Sequence, residues 1–234
     1  SKPVLIDGRI IAKTIKEEIK QEVQNILTEG KRPPHLVAVI VGEDGASLSY
    51  VASKEKQSKE VGFTSSVYRF PETISEKQLL ETLDFLNKDP EVDGYIVQLP
   101  LPKHINERKV LEAIAPSKDV DGFHPSNGGR MMLGMPTYIP ATPYGIKQLL
   151  ERSEIETEGK HCVVLGRSNI VGTPMAILMS RNSKKANCTV TLCHSKTKNI
   201  KEICRSADIL IVAIGKPEFV TADMVKDGAV VIDV

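Results

Sequence analysis

What this chain lacks narrows its partners first. Its 234 residues show no charge imbalance, with 31 lysines and arginines against 30 acids and a net charge of +1. Nothing in that balance calls for nucleic acid or an anionic membrane as a partner. No apolar run reaches the length of a membrane span, and the first residues show no signal-peptide pattern. The four cysteines (Cys162, Cys188, Cys193, Cys204) form no C-x-x-C pair, so they read as reduced, mostly buried thiols of an intracellular, cytoplasmic protein. His194 has no ligand partners at metal spacing, and no metal site is expected. There is no internal repeat and no low-complexity tract.

What is present is a regular alternation of helical and strand patterns. Apolar residues at Ile11, Ile15, Ile19, Val23 and Ile26 predict an amphipathic helix ended by Gly30. Leu36 to Val41 is a continuous apolar run, as in a strand buried on both faces of a parallel sheet. Gly42-Glu43-Asp44-Gly45 turns out of it, and Ser47 to Val61 reads as a helix stopped by Gly62. Ser66 to Phe70 is a second strand, and Ser75 with Gln78 makes a capping box for a helix ending near Asn87. Val92 to Leu99 is a third strand and Asn106 to Ala115 another helix. The stretch from Pro116 to Pro143 is too rich in glycine and proline for regular elements, so a domain junction is expected there, dividing the chain into 1–141 and 142–234. Beyond a linking helix, Tyr144 to Arg152, the pattern resumes. Strands are expected at 162–165, 189–193, 209–214 and 229–234, with helices from Ile170, over 200–207 and over 222–226. The fold class is therefore α/β: two domains, each with a parallel sheet. The chain stops inside its last strand-like run, so a continuation is expected.

The most particular stretch is Cys162 to Pro174, C-V-V-L-G-R-S-N-I-V-G-T-P. It reads as a buried strand, a tight turn and a helix start, which leaves backbone N–H groups at a helix N-terminus where a phosphate is stabilised. A bare glycine pattern is weak evidence, and an ordinary strand–helix turn would look similar. The end of the next strand discriminates further. An NAD site wants an acid there for the ribose, whereas this chain has Cys193-His194-Ser195-Lys196-Thr197. Arg167 in the turn, with a hydroxyl and a lysine across from it, suits an added 2′-phosphate, so the chemistry favours NADP.

In the first domain three polar groups fall at the carboxyl ends of the strands, where parallel sheets bind ligands. Tyr50 and Lys54 share one helix face, and Gln98 closes the third strand. Asp121 lies in the junction. Each has a plainer reading: a solvated helix lysine, a strand-end amide bonded to backbone, an acid in a turn before Gly122, and for Ser47 a helix cap. Their convergence on one sheet end strengthens the functional reading of all of them.

These residues resemble the bifunctional methylenetetrahydrofolate dehydrogenase/cyclohydrolases. The matching stretches are 42–56 (G-E-D-G-A-S-L-S-Y-V-A-S-K-E-K), 93–102 (D-G-Y-I-V-Q-L-P-L-P), 118–124 (K-D-V-D-G-F-H), 140–145 (P-A-T-P-Y-G), the glycine turn and 193–197 (C-H-S-K-T). The resemblance runs over essentially the whole chain. It implies an N-terminal folate lobe and a Rossmann-like NADP lobe with a cleft between them, a folate substrate, a homodimer, and a place in one-carbon metabolism that serves purine biosynthesis. It assigns Lys54 as general acid/base of the hydrolytic step, Gln98 as its hydrogen-bonding partner, Tyr50 and Ser47 to the folate, and Asp121 to the amino end of the pterin. It gives Gly166, Arg167, Ser168 and Ser195 to the cofactor. Two departures stand out: Ala141 where the family often has cysteine, and a family segment that would follow Val234. The rival readings are a two-lobe NADP-dependent dehydrogenase of a shikimate-like or amino-acid substrate, and a folate- and nucleotide-binding chain without turnover.

Overall fold

The computed structural model describes residues 3–42 and 45–234. The turn expected over 42–45 includes Glu43 and Asp44, which lie outside the described residues. Among the described residues two compact units form, one within Asp7–Asn127 and one of Gly128–Val234 together with residues 3–6.

The first unit opens with helix α1 (Gly8–Thr28), capped by Asp7, whose carboxylate accepts from the N–H groups of Arg9 and Ile10. Strand β1 (His35–Val41) follows, then α2 (Gly45–Glu60), β2 (Thr64–Phe70), α3 (Glu76–Lys88), β3 (Gly94–Val97) and α4 (Glu107–Ala113). The three strands are parallel in the order β2-β1-β3. Helix α3 carries the capping box read from the sequence: Ser75 accepts from the Gln78 N–H and Gln78 reaches back to the Ser75 N–H. Its Leu79, Leu83 and Leu86 are buried with Val37, Val39, Tyr95 and Val97 on one sheet face. A smaller cluster of Val51 with Ala38, Ile40 and Ile96 seats α2 on the sheet.

Helix α5 (Pro125–Met132) leads to α6 (Ala141–Arg152), and the second unit continues with β4 (His161–Leu165), α7 (Gly172–Ser180), β5 (Thr189–Cys193), α8 (Ile200–Ser206), β6 (Ile209–Val212), a 3-10 turn (Ala222–Met224) and β7 (Val230–Asp233). Its four parallel strands run β5-β4-β6-β7. All four cysteines are buried free thiols; burial pushes Cys204 up to about 11 and also raises Cys193, so neither is a ready nucleophile.

Several sequence expectations shift. Helix α5 forms inside the stretch read as turns only, despite Gly128 and Gly129, because Met131 is buried with Ile146 and packs with Ile139 in the second unit's core. That packing sets the break between compact units at Asn127, ahead of the 141/142 division suggested by turn composition. Helix α7 begins at Gly172 rather than Ile170, because the Ser168 hydroxyl accepts from the N–H groups of Val171 (3.1 Å) and Gly172 (3.3 Å) and holds the preceding residues in a turn.

Candidate active site

In each unit the first strand has neighbours on both sides, so the helical connections after the first and second strands pass over opposite faces and open a crevice at the carboxyl end of the first. In the first unit that crevice lies between the ends of β1 and β3. Helix α2 leaves β1 with Ser47 buried in its first turn, Val51 anchored beneath, and Tyr50 and Lys54 on the rim; Tyr50 is 64% exposed and Lys54 half-buried. Gln98 follows β3, its N–H bonded to Val39 O at 2.8 Å. Its Nε2 donates to Leu99 O at 2.8 Å, which turns Oε1 toward Lys54; the Lys54 Nζ donates to that oxygen at 3.4 Å. The two residues are 44 positions apart in sequence, yet they form the pair expected at the strand end.

Asp121 is half-buried on the same side. Burial pushes its carboxyl up from the usual range, the Lys54 ammonium pulls it back down, and Asp119 raises it again. Lys54 therefore bonds Gln98 and acts electrostatically on the Asp121 carboxyl, with Tyr50 one helical turn before it. Sequence reasoning missed the scaffold behind them. Asp119 is 1% exposed and its carboxylate accepts from the His124 N–H and from Asn127 Nδ2, both at 2.8 Å. Tyr95, fully buried, donates its hydroxyl to Asn87 Oδ1 at 2.7 Å, and burial drives its phenol well above the usual range. A buried polar network of this kind leaves no local sequence signal; the one available hint was an Asp at alternating spacing with Asp121 ahead of a glycine.

In the second unit the glycine turn closes the end of β4. Gly166 has φ +107°, and a Cβ there would lie 2.1 Å from Ala213 O. A Cβ on Gly172 would lie 1.9 Å from Gly166 O. Neither position accepts a side chain. Among the described residues, the N–H groups of Arg167, Ser168, Asn169 and Ile170 have no acceptor within the chain. Four unpaired N–H groups ahead of a helix are what an anionic pyrophosphate requires, so the turn fits a dinucleotide. Gly166 N–H bonds Cys193 O at 2.9 Å, which sets the turn beside the end of β5. There the His194 N–H donates to Thr197 Oγ1 (2.8 Å) and the Thr197 N–H to His194 O (2.8 Å), presenting Ser195 and Lys196 at an exposed tip. Arg167 is exposed across from them. A cavity of about 650 Å³ opens at the same sheet end, lined by Gly215, Lys216, Phe219, Thr221 and Asp233 among others.

The model of the tetrahydrofolate dehydrogenase/cyclohydrolase catalytic domain matches residues 6–121, and that of the family's NAD(P)-binding domain matches 140–234. The chain belongs to this family. It is an enzyme of the bifunctional dehydrogenase/cyclohydrolase type, with two α/β lobes. The bifunctional protein FolD of Cytophaga hutchinsonii is 63% identical over 230 residues, covering 98% of this chain and 79% of the relative. The crystal structure of the bifunctional FolD methylenetetrahydrofolate dehydrogenase/cyclohydrolase of Campylobacter jejuni superposes with a TM-score of 0.95 at 44% identity, over 99% of this chain and 80% of that one. The FolD of Trypanosoma brucei, solved with NADP cofactor and an inhibitor, gives 0.92 at 34% identity, over 99% and 78% of the two chains. Among the described residues no helix is long and apolar enough to cross a membrane.

Proposed function

We propose that the chain oxidises methylenetetrahydrofolate with NADP and hydrolyses the methenyl product to 10-formyltetrahydrofolate, with Lys54 as the proton-transfer group of the second step. Support comes from one contact above others: the Lys54 ammonium against Gln98 Oε1 at the carboxyl end of a parallel sheet. The methylene carbon lies between two nitrogens, so loss of hydride leaves a cation shared by both and requires no strong base; positioning suffices. Bound NADP supplies the hydride acceptor. Residues Gly166 and Ser168 shape the turn for its pyrophosphate, and Arg167 and Ser195 offer donors to a 2′-phosphate. Adding water to the cation and opening the ring does need proton transfers, which Lys54 provides while Gln98 holds it. Tyr50 and Ser47 lie where the folate is bound, and the Asp121 carboxylate accepts from the amino end of the pterin. A homodimer in the cytoplasm, serving purine biosynthesis, accords with the family resemblance.

Lys54→Met keeps the apolar stem and removes the ammonium. Methenyl absorbance and NADPH formation, followed separately, are expected to show cyclohydrolase activity falling by about a hundred- to ten-thousandfold. Dehydrogenase activity persists in part and methenyltetrahydrofolate accumulates. Equal losses in both steps would make Lys54 a binding residue; no loss in either would make it a solvated helix lysine.

A further inference from the structure

Residues Lys118 to Gly122 are held in place one by one. Lys118 Nζ donates to Leu86 O (2.8 Å) and Asp89 O (2.6 Å), closing the C-terminal end of α3. Its carbonyl accepts the Tyr95 N–H at 2.9 Å, and Tyr95 and Asp119 form a parallel bridge, a one-residue extension of the sheet beyond β3. Val120 fills the space over Gly94, where a Cβ would stand 2.3 Å from Val120 Cγ1. Gly122 turns the chain with φ +69°, its N–H on Asp119 O at 3.1 Å. Asp119 itself is buried between the His124 N–H and Asn127, and Asn127, 3% exposed, also donates to Pro116 O at 2.9 Å. Asp121 is the exception. Among the described residues no hydrogen bond holds its carboxyl, so its place is set by the neighbours that are held.

Desolvating a buried carboxylate costs several kcal/mol, which the charge-assisted bonds from the His124 N–H and Asn127 Nδ2 offset. An amide in its place would make neutral, weaker bonds to the same two donors and hold the turn less firmly. Two residues along the chain stands Asp121, whose place follows from the turn that Asp119 holds.

We propose that Asp119 is a positioning residue of the folate site: with Asn127 and the His124 N–H it fixes the 119–127 turn and so presents the Asp121 carboxylate to the pterin. The inference rests on the reading of Asp121 given above. The charge has a second consequence. Asp121 is faced by the Lys54 ammonium from α2 and by Asp119 from its own segment, while Tyr95 of β3 beside Asp119 stays neutral. A negative Asp119 disfavours ionisation of Asp121, so removing that charge lets Asp121 stay ionised to lower pH.

Three variants test this: Asp119→Asn, Asn127→Ala and, as the reference, Asp121→Ala. Titration calorimetry with a folate analogue and with NADP is run across pH, beside circular dichroism of each variant. Asp119→Asn and Asn127→Ala are expected to weaken the analogue by about 10- to 100-fold, the range seen when supporting groups or geometry are lost. NADP affinity stays at the parent value. The acid limb of analogue affinity moves to lower pH in Asp119→Asn and not in Asn127→Ala. Parent-like affinity with an unmoved limb in Asp119→Asn overturns the inference while Asp121→Ala still loses binding. Equal loss of analogue and NADP together with a lowered Tm overturns it too, leaving Asp119 as a general folding residue. If Asp121→Ala binds the analogue as the parent does, the reading of Asp121 fails and the inference fails with it.

Discussion

The two sheets are alike at one end and unlike at the other. In the first, His35 opens the central strand; its N–H donates to Asp93 Oδ2 at 2.7 Å, its Nδ1 meets Glu91 O at 2.9 Å and its Nε2 meets Ser66 Oγ at 2.8 Å. In the second, His161 does the same: its N–H donates to Asp208 Oδ2 at 2.7 Å, Nδ1 meets Ser206 O at 3.3 Å and Nε2 meets Thr191 Oγ1 at 2.9 Å. Asp93 and Asp208 each stand just before the third strand, and each meets a cation, Arg32 in one case and Lys226 in the other. Among the described residues the carboxyl ends share nothing comparable. One carries a helix with a rim of Tyr50 and Lys54 facing a strand-end amide, and the other a turn too tight for any side chain at Gly166 or Gly172. The same clamp at the amino ends ties three parallel strands together in both units, and the proposed site residues stand at the opposite ends.

That contrast is sharpest at the glycines. Gly172→Ala has to displace backbone at Gly166, whereas a Cβ on Gly45, at the start of α2, meets nothing within 4 Å. Gly172→Ala is expected to cost about 1–3 kcal/mol of stability and to abolish measurable NADP binding; Gly45→Ala stays within about 0.5 kcal/mol. Thermal unfolding and NADP titration of the pair check this. If Gly45→Ala did comparable damage, the two carboxyl ends would be more alike than they look.

Arg167→Ala probes the same end more finely. Loss of one charge-assisted bond is expected to weaken NADP by about 1.5–3 kcal/mol and to leave NAD and folate affinity nearly unchanged. Steady-state kinetics with both cofactors decides it, and equal losses would remove Arg167 from the 2′-phosphate.

The shared clamp makes a symmetrical prediction of smaller size. Asp93→Ala and Asp208→Ala each leave a histidine N–H without its acceptor, at about 1 kcal/mol apiece once the half-exposed ion pairs are discounted for solvent screening. Denaturant melts should show matching losses; a loss in one variant only would mean that the two clamps are alike in geometry alone.

The smallest effect is on pH dependence. The Arg32 guanidinium hydrogen-bonded to Asp93, and the Lys226 ammonium hydrogen-bonded to Asp208, hold both carboxyls below the usual range. A carboxyl depressed in the folded state contributes stability above its unfolded pKa, near 4 by the ordinary value, and loses that contribution as pH falls through the folded value. Asp93→Asn with Asp208→Asn should therefore flatten the decline of Tm below about pH 4 and leave its slope near neutrality unaltered. A curve parallel to the parent's below that pH would show that these carboxyls are not linked to folding.

Several features were legible because neighbours in sequence decide them. The Ser75–Gln78 box, the stop of α1 ahead of Gly30 and strand β5 at Thr189–Cys193 follow from interactions spanning a few residues or from a short β-branched run. Gln98 and Lys54 were legible as neighbours because parallel sheets collect polar groups at one end, and as a bonded pair through the family resemblance. Helix α5 was not legible, since Asn127-Gly128-Gly129 opposes helix formation locally and burial of Met131 outweighs it. Strand β3 is shorter than its apolar run because its ladder with β1 spans only Leu36–Val39.

Helix α5 apart, the sequence by itself determined which segments are helix or strand, that the strands run parallel, and which residue types stand at the strand ends, because hydrophobic period, caps and turn residues act over one or two helical turns. Tertiary structure alone decided that His35 meets Asp93, that His161 meets Asp208, and that Asp119 is buried against Asn127. Those are polar groups whose worth depends on losing water together, and which of them lose it is settled only when segments distant in the chain pack side by side.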